Sequence, residues 1–242
     1  MGSTIWEKVP ILGSISRLFV ELFGPAPLKE FADYDEYWAN RRAQGRVMPF
    51  LPRYEVVSGM IPDGASVLDI GCGGGDFLLY LKQHRPNCKL FGVDISRPAI
   101  ELLRERGLDG CVLDPATSLA AQLGRDYEYV VLMEVIEHVA DAESIVRQAQ
   151  QMHPRRIIIT TPNMGFILNR LRLLLGRTPV TVILYHMREH LRFWTVKDFR
   201  QWADVLGMEV VRIAAQNYKR WIARTWPSLF CRQIIYECVP KS

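Results

Sequence analysis

Val67-Leu68-Asp69-Ile70-Gly71-Cys72-Gly73-Gly74-Gly75-Asp76-Phe77 reads as a strand ending in an acid, a glycine turn, and the start of a helix. Glycine lets the backbone turn tightly and come close to a ligand. The helix start behind the turn offers backbone N–H groups with no partner inside the helix. Further on, Gly92-Val93-Asp94 places a second acid at the end of the next apolar run. A carboxylate there can accept hydrogen bonds from both hydroxyls of a ribose.

Outward from this stretch, short apolar runs alternate with helical patterns. Strands are expected at Ser66–Ile70, Lys89–Val93, Gly110–Leu113, Tyr129–Met133 and Arg156–Thr160, with helices near 75–84, 97–106, 116–123 and 141–152. Strands apolar on both faces and separated by helices predict a doubly wound, mostly parallel α/β sheet. Two later strands, Glu209–Ala214 and Gln233–Cys238, bring it to seven. Ligands of such sheets sit at the carboxyl ends of the strands. Residues 1–62 read as a helical N-terminal cap, with Ile11, Leu12, Ile15, Leu18, Phe19, Leu22 and Phe23 at helix spacing. That stripe suits either a helix packed on the domain or one lying on a membrane surface. Residues 63–242 form the main domain. It is interrupted at about 163–194 by a stretch too long for an idle loop, expected to carry a helix at 166–175 and a lid or substrate wall. A helix is expected at 195–206.

The glycine turn fits a dinucleotide or S-adenosylmethionine. A dinucleotide turn needs a third glycine where Asp76 stands, so that pyrophosphate can reach the helix terminus. Two acids, Asp69 and Asp76, suit a sulfonium ligand better, and an NAD-dependent oxidoreductase is the weaker reading. VLDIGCGGGDF, GVDIS and EVIEHV together resemble the motifs of class I S-adenosylmethionine-dependent methyltransferases. TPNMG at 161–165, RLRLLLGRTPVT at 170–181 and TVKDF at 195–199 are similar to the MetW family of methionine biosynthesis. Glu134–Val139, with His190 and Phe193-Trp194-Thr195, looks more like quinone-pathway O-methyltransferases and small-RNA terminal ribose methyltransferases. The resemblance implies that Asp69, Gly71, Gly73 and Gly75 line the methionine part of the cofactor. It implies Asp94 on the ribose, Ile95 against the adenine, Asp114 near its amino group, and Glu134 beneath the sulfonium. Tyr37 and Arg41 would close over the cofactor carboxylate, or simply belong to a packing helix. S-adenosylhomocysteine would be the product.

Glu134, Glu137 and His138 fall at i, i+3 and i+4 after the fourth strand, on one face if a helical turn begins there. Three readings stand side by side. Glu137 and His138 cap the loop; or His138, with Glu137 and His190, forms a catalytic group in which His138 takes a proton from the acceptor. In the third, which the ribose-methyltransferase resemblance implies, Glu134, Glu137, His138 and His190 hold a divalent metal; no metal is the favoured expectation. His84 and His153 read as helix-end residues, and His186 lies in the lid.

The remaining arithmetic bounds the class. With 242 residues, 49% hydrophobic and 23% charged, the chain is neither disordered nor collagen-like. The net charge of +4 is uneven: residues 1–65 and 66–163 are mildly acidic, and 164–242 hold 13 basic against 5 acidic groups. Arg170, Arg172, Arg177, Arg188, Arg192, Arg200, Arg212, Lys219, Arg220, Arg224 and Arg232 carry that excess, among Trp194, Trp202, Trp221 and Trp226. A solvated face, clamps for an anionic acceptor, or peripheral membrane contact through 217–226 would each explain it. No nucleic-acid module is recognised. Five scattered cysteines with no C-x-x-C pair suit free thiols in a cytoplasmic protein. The expected activity is methyl transfer to an O or N atom of a small-molecule or lipid-like acceptor, by a monomer or homodimer. The alternative is a regulatory MetW-like partner on the same fold.

Overall fold

A computed structural model describes residues 19–25, 33–43, 51–124, 126–179, 190–216 and 221–241. The first part of the N-terminal stripe, His186, the middle of the 163–194 excursion, and residues 217–220 of the basic segment lie outside them. Seven strands form one sheet in the order β3-β2-β1-β4-β5-β7-β6. They are β1 Ser66–Ile70, β2 Lys89–Asp94, β3 Gly110–Val112, β4 Tyr129–Met133, β5 Arg156–Pro162, β6 Met208–Ala215 and β7 Gln233–Pro240. The first five pair in parallel, while β7 runs antiparallel between β5 and β6.

Alternation along each strand sorts the core into two layers. Leu68, Ile70, Val130, Leu132, Ile157 and Ile159 face one layer, completed by α7 (Ala142–Gln150) through Val146 and α9 (Val196–Val205) through Phe199. Val67, Tyr129, Val131 and Ile158 face the other, against α3 (Pro52–Ser58), α4 (Asp76–His84) and α5 (Arg97–Glu105). Phe199 stacks flat on Tyr236 of β7 at 3.6 Å, fixing α9 to the antiparallel edge. The helix starts follow local chemistry. Ser96 accepts from the Ala99 N–H at the start of α5, and Thr195 and Asp198 form a reciprocal capping box on α9.

The long excursion begins at a side-chain hub. Asn163 donates to the carbonyls of Ser228 and Cys231, and its own Oδ1 accepts from the Gly165 N–H. The TPN segment thereby ties the end of β5 to α11 (Pro227–Phe230). The helix expected at 166–175 is α8 (Ile167–Leu174). Residues 19–23 are also helical (α1), with Phe19 and Phe23 in ring contact at 4.7 Å and both exposed. Among the described residues no helix is long and apolar enough to cross a membrane. All five cysteines are free thiols.

Candidate active site

The glycine turn lies where β1 ends. Gly71, Gly73 and Gly75 all have positive φ, at 72°, 53° and 78°. Two of them also sit where a side chain has no room. A Cβ on Gly71 would come within 2.5 Å of Val135, and one on Gly73 within 2.2 Å of the Trp38 indole. Asp94, at the end of β2, anchors the turn. Its Oδ2 accepts from the Gly73 N–H at 2.8 Å, and its Oδ1 from the Ser96 N–H at 2.9 Å. Ile95 beside it is 55% exposed, an apolar surface at the strand edge available to a flat ring. Asp114 follows β3. It binds its own turn instead of reaching inward, accepting from the Ala116 N–H at 2.9 Å and the Thr117 hydroxyl at 3.0 Å.

Two acids share the floor. Burial pushes the Asp69 carboxyl well above its ordinary range, and the charge of Asp94 adds to this; burial also raises Asp94. The folded chain therefore holds a proton on Asp69 more firmly than the unfolded chain, whose value is near 3.8. Its contribution to stability declines as pH rises above that value. Replacing Asp69 by Asn is expected to raise the melting temperature at neutral pH, by about 2–4 °C per kcal/mol relieved. The gain should shrink toward pH 4, and thermal melts across that range check it. A ligand bearing positive charge would relieve the same strain.

Asp76, in the third-glycine place of a dinucleotide turn, heads α4 and pairs with Arg106 at 2.7 Å. Its charge is thus answered from within the chain.

Glu134 ends β4 with φ 55°, a strained value for a residue with a side chain. The strain is held from both sides. Its Oε1 accepts from the Thr160 hydroxyl at 2.8 Å and its Oε2 from the Gln233 amide, whose own oxygen accepts from Arg53 at 3.1 Å. Arg53, Thr160 and Gln233 were invisible as site residues in the sequence. They come from α3, β5 and β7, and only the sheet order brings them together.

Beyond Glu134 the chain turns, and the Glu137 carbonyl accepts from the N–H groups of Leu191 and Arg192. This pair of bonds carries His190 to the Glu137–His138 turn. Ligand atoms of Glu137, His138 and His190 lie within 4.8 Å of one another. The His138 and His190 rings meet edge to face at 4.7 Å. Glu137 Oε1 lies 3.8 Å from His138 Nε2. Glu134, the fourth residue of the metal reading, faces Thr160 and Gln233 and does not join these three. His190 is 7% exposed, and burial together with His138 pushes its pKa down to about 3. His190 is thus held as a neutral ring.

Above these groups lies α2 (Tyr34–Ala43), with Tyr34, Tyr37 and Trp38 half-buried on one face. Tyr37 meets the Trp38 ring edge to face at 5.4 Å. Arg41 lies on the same helix, with its side chain outside the description. Of the arginines read as clamps, several are committed elsewhere. Arg172 is buried and donates to the carbonyls of Glu21, Gly24 and Thr178; Arg192 holds Glu143 and Ala140; Arg232 pairs with Glu21. These three knit the 19–24 segment and the excursion to the domain. His84 bonds the Tyr80 carbonyl, and His153 pairs with Asp126.

Several known proteins have related chains. A ubiquinone biosynthesis O-methyltransferase of Xylella fastidiosa is 24% identical over 204 residues, 80% of this chain and 82% of that protein. Its counterpart in Bordetella parapertussis is 36% identical over 89 residues, and one in Albidiferax ferrireducens 30% over 132; there the chain spans only 36% and 52% of the relative's length. A bifunctional methionine biosynthesis protein MetXA/MetW of Rhodopirellula baltica is 29% identical over 200 residues, 74% of this chain and 31% of that protein. Among solved structures, a TehB-like S-adenosylmethionine-dependent methyltransferase of Corynebacterium glutamicum has the same fold, with a TM-score of 0.55 at 17% identity over 86% of this chain and 96% of that one. So does the magnesium protoporphyrin IX methyltransferase of Synechocystis PCC 6803, with a TM-score of 0.53 at 17% identity over 94% and 95%. Residues 52–238 match the model of methionine biosynthesis protein MetW, a stretch that holds the glycine turn, the TPN hub and all of the sheet but the last two residues of β7, and the chain belongs to that family.

Proposed function

We propose that the chain is an S-adenosylmethionine-dependent methyltransferase acting on an O or N atom of a small-molecule or lipid-like acceptor. The observation that carries this is Asp94, pinned between the Gly73 and Ser96 N–H groups with Ile95 exposed beside it. A carboxylate held in place at the second strand's end, next to an apolar surface, is a fitting seat for a ribose and its base. Asp69 and Asp94 beneath the glycine turn favour a cationic ligand over a phosphate. The names of the quinone-pathway relatives support the same reading. Such a cofactor supplies an activated methyl group. The chain's own residues orient the acceptor and accept its proton, and alignment itself supplies much of the rate. Gly71 and Gly75 complete the floor. Asp114 borders the adenine end, Tyr37 and Arg41 border the amino-acid end, and Glu134 stands just past β4 beneath the sulfonium, its carboxylate held by Thr160 and Gln233. The acceptor side is the Glu137–His138–His190 cluster. In it Glu137 and neutral His190 position His138 as general base, and the 163–194 stretch walls the site.

Calorimetry tests this directly: S-adenosylhomocysteine should bind in the micromolar range, and NAD should not. A chain that binds neither S-adenosylmethionine nor its demethylated product is no methyltransferase. The closeness of three donor atoms favours one second reading, a divalent ion held by Glu137, His138 and His190. Loss of activity on chelation, restored by added metal, would replace the base by that ion. The Rhodopirellula relative keeps a regulatory role in view. Stable co-purification with a MetXA-type protein, without methylated product, would favour it. Exposed Trp221 and Trp226, which follow Lys219-Arg220 in sequence, suit peripheral contact with an anionic membrane.

A further inference from the structure

Helix α2 touches both halves of the site. The Trp38 indole lies against Gly73 and Gly74, 2.2 Å and 3.3 Å from where their side chains would begin. One turn earlier on the same face, the Tyr34 ring meets the edge of the His138 ring at 6.0 Å. Between them Asp35 lies close enough to Asp94 to disfavour its charge. The helix packs sideways on α5. The surface of Gly73 covered by the indole is the surface that the missing side chain leaves open. A ligand that uses the glycine turn for close approach needs that same surface, and a nine-atom aromatic ring system and a ligand cannot both occupy it.

Building on the methyltransferase reading, we propose that Trp38 is a plug in the cofactor site, and that α2 couples its removal to the acceptor site through Tyr34. Seating the cofactor displaces the indole from Gly73. Because Tyr34 and Trp38 share one rigid helical turn, the same movement withdraws Tyr34 from His138. The acceptor then reaches its base only after the cofactor is seated, and binding is ordered.

The test uses the full chain and S-adenosylhomocysteine as probe. Trp38→Ala should bind the probe about tenfold or more tightly than the natural chain, with faster association by stopped flow, because the closed population no longer competes. Equal or weaker binding by the variant overturns the plug and makes Trp38 a wall of the site. A second measurement does not depend on the variant's fold. In protein labelled with 5-fluorotryptophan, the Trp38 resonance is assigned by its loss in Trp38→Phe. It should shift on saturation with the probe, and a resonance that stays in place with the probe bound overturns the proposal. If the natural chain binds no probe at all, the methyltransferase reading itself fails, an outcome distinct from either result.

Discussion

Asp94→Ala is expected to weaken binding of S-adenosylhomocysteine by about 100-fold or more. The substitution acts twice. It removes the acceptor proposed for the ribose hydroxyls, and charge-assisted hydrogen bonds of that kind contribute about 1.5–3 kcal/mol each. It also strips the Gly73 and Ser96 N–H groups of the carboxylate that holds them at 2.8 and 2.9 Å. The turn then loses the bond that keeps Gly73 in register with β2. With about 1.4 kcal/mol per tenfold in affinity, loss of two such bonds accounts for the expected change. Asp94→Asn separates binding from folding. It keeps the shape and one of the two acceptors for the Gly73 and Ser96 N–H groups, so it should melt no lower than Asp94→Ala while still binding the cofactor poorly. Calorimetry and thermal melts on the two variants give the answer. Near-natural affinity in Asp94→Ala would remove the ribose from this site.

His138→Ala is expected to lower kcat by about 10²–10⁴, the usual range for a lost general base, with cofactor affinity within about twofold of the natural value. The reasoning rests on the division of labour between the two rings. His190 is 7% exposed, and burial with the neighbouring imidazole pushes its pKa down to about 3. It therefore stays neutral while His138, more open and near Glu137, is placed to take a proton. Transfer of labelled methyl from S-adenosylmethionine into the small-molecule fraction of a cell extract provides the assay. An unchanged rate in His138→Ala would return the cluster to a structural role.

Much of the fold is legible in the residues, and for a clear reason. β1 and β4 carry apolar side chains toward both covered faces, so Ser66–Ile70 and Tyr129–Met133 stand out at their observed bounds. The TPN segment and TVKDF are legible as landmarks, although only the structure shows Asn163 as a hub between β5 and α11. The glycine turn follows from local spacing, since Asp69, Gly71 and Gly73 sit on one strand and its turn. The rest depends on contacts between distant positions. Glu134 looks like a partner for Glu137 and His138 because it is three residues away, yet Thr160 and Gln233 capture its carboxylate from neighbouring strands. Arg172 looks like a surface clamp because it is charged, yet it is buried against the backbone of residues 21 and 24. Trp38 looks like one more aromatic of a packing helix until the space above Gly73 is measured.

The insertion of β7 between β5 and β6 has a consequence in time. During synthesis the five parallel strands emerge in an order that lets each find its neighbour early. The sheet nonetheless stays open at β5 until residues 233–240 have left the ribosome. Gln233, which steadies Glu134 from 99 positions away, arrives with that last strand. The nascent chain can therefore assemble the glycine turn and its Asp94 anchor well before Glu134 is locked into its strained turn. Locking of Glu134 thus waits on β7, and a ribosome stalled before β7 would display the glycine turn formed and Glu134 without its Gln233 bond.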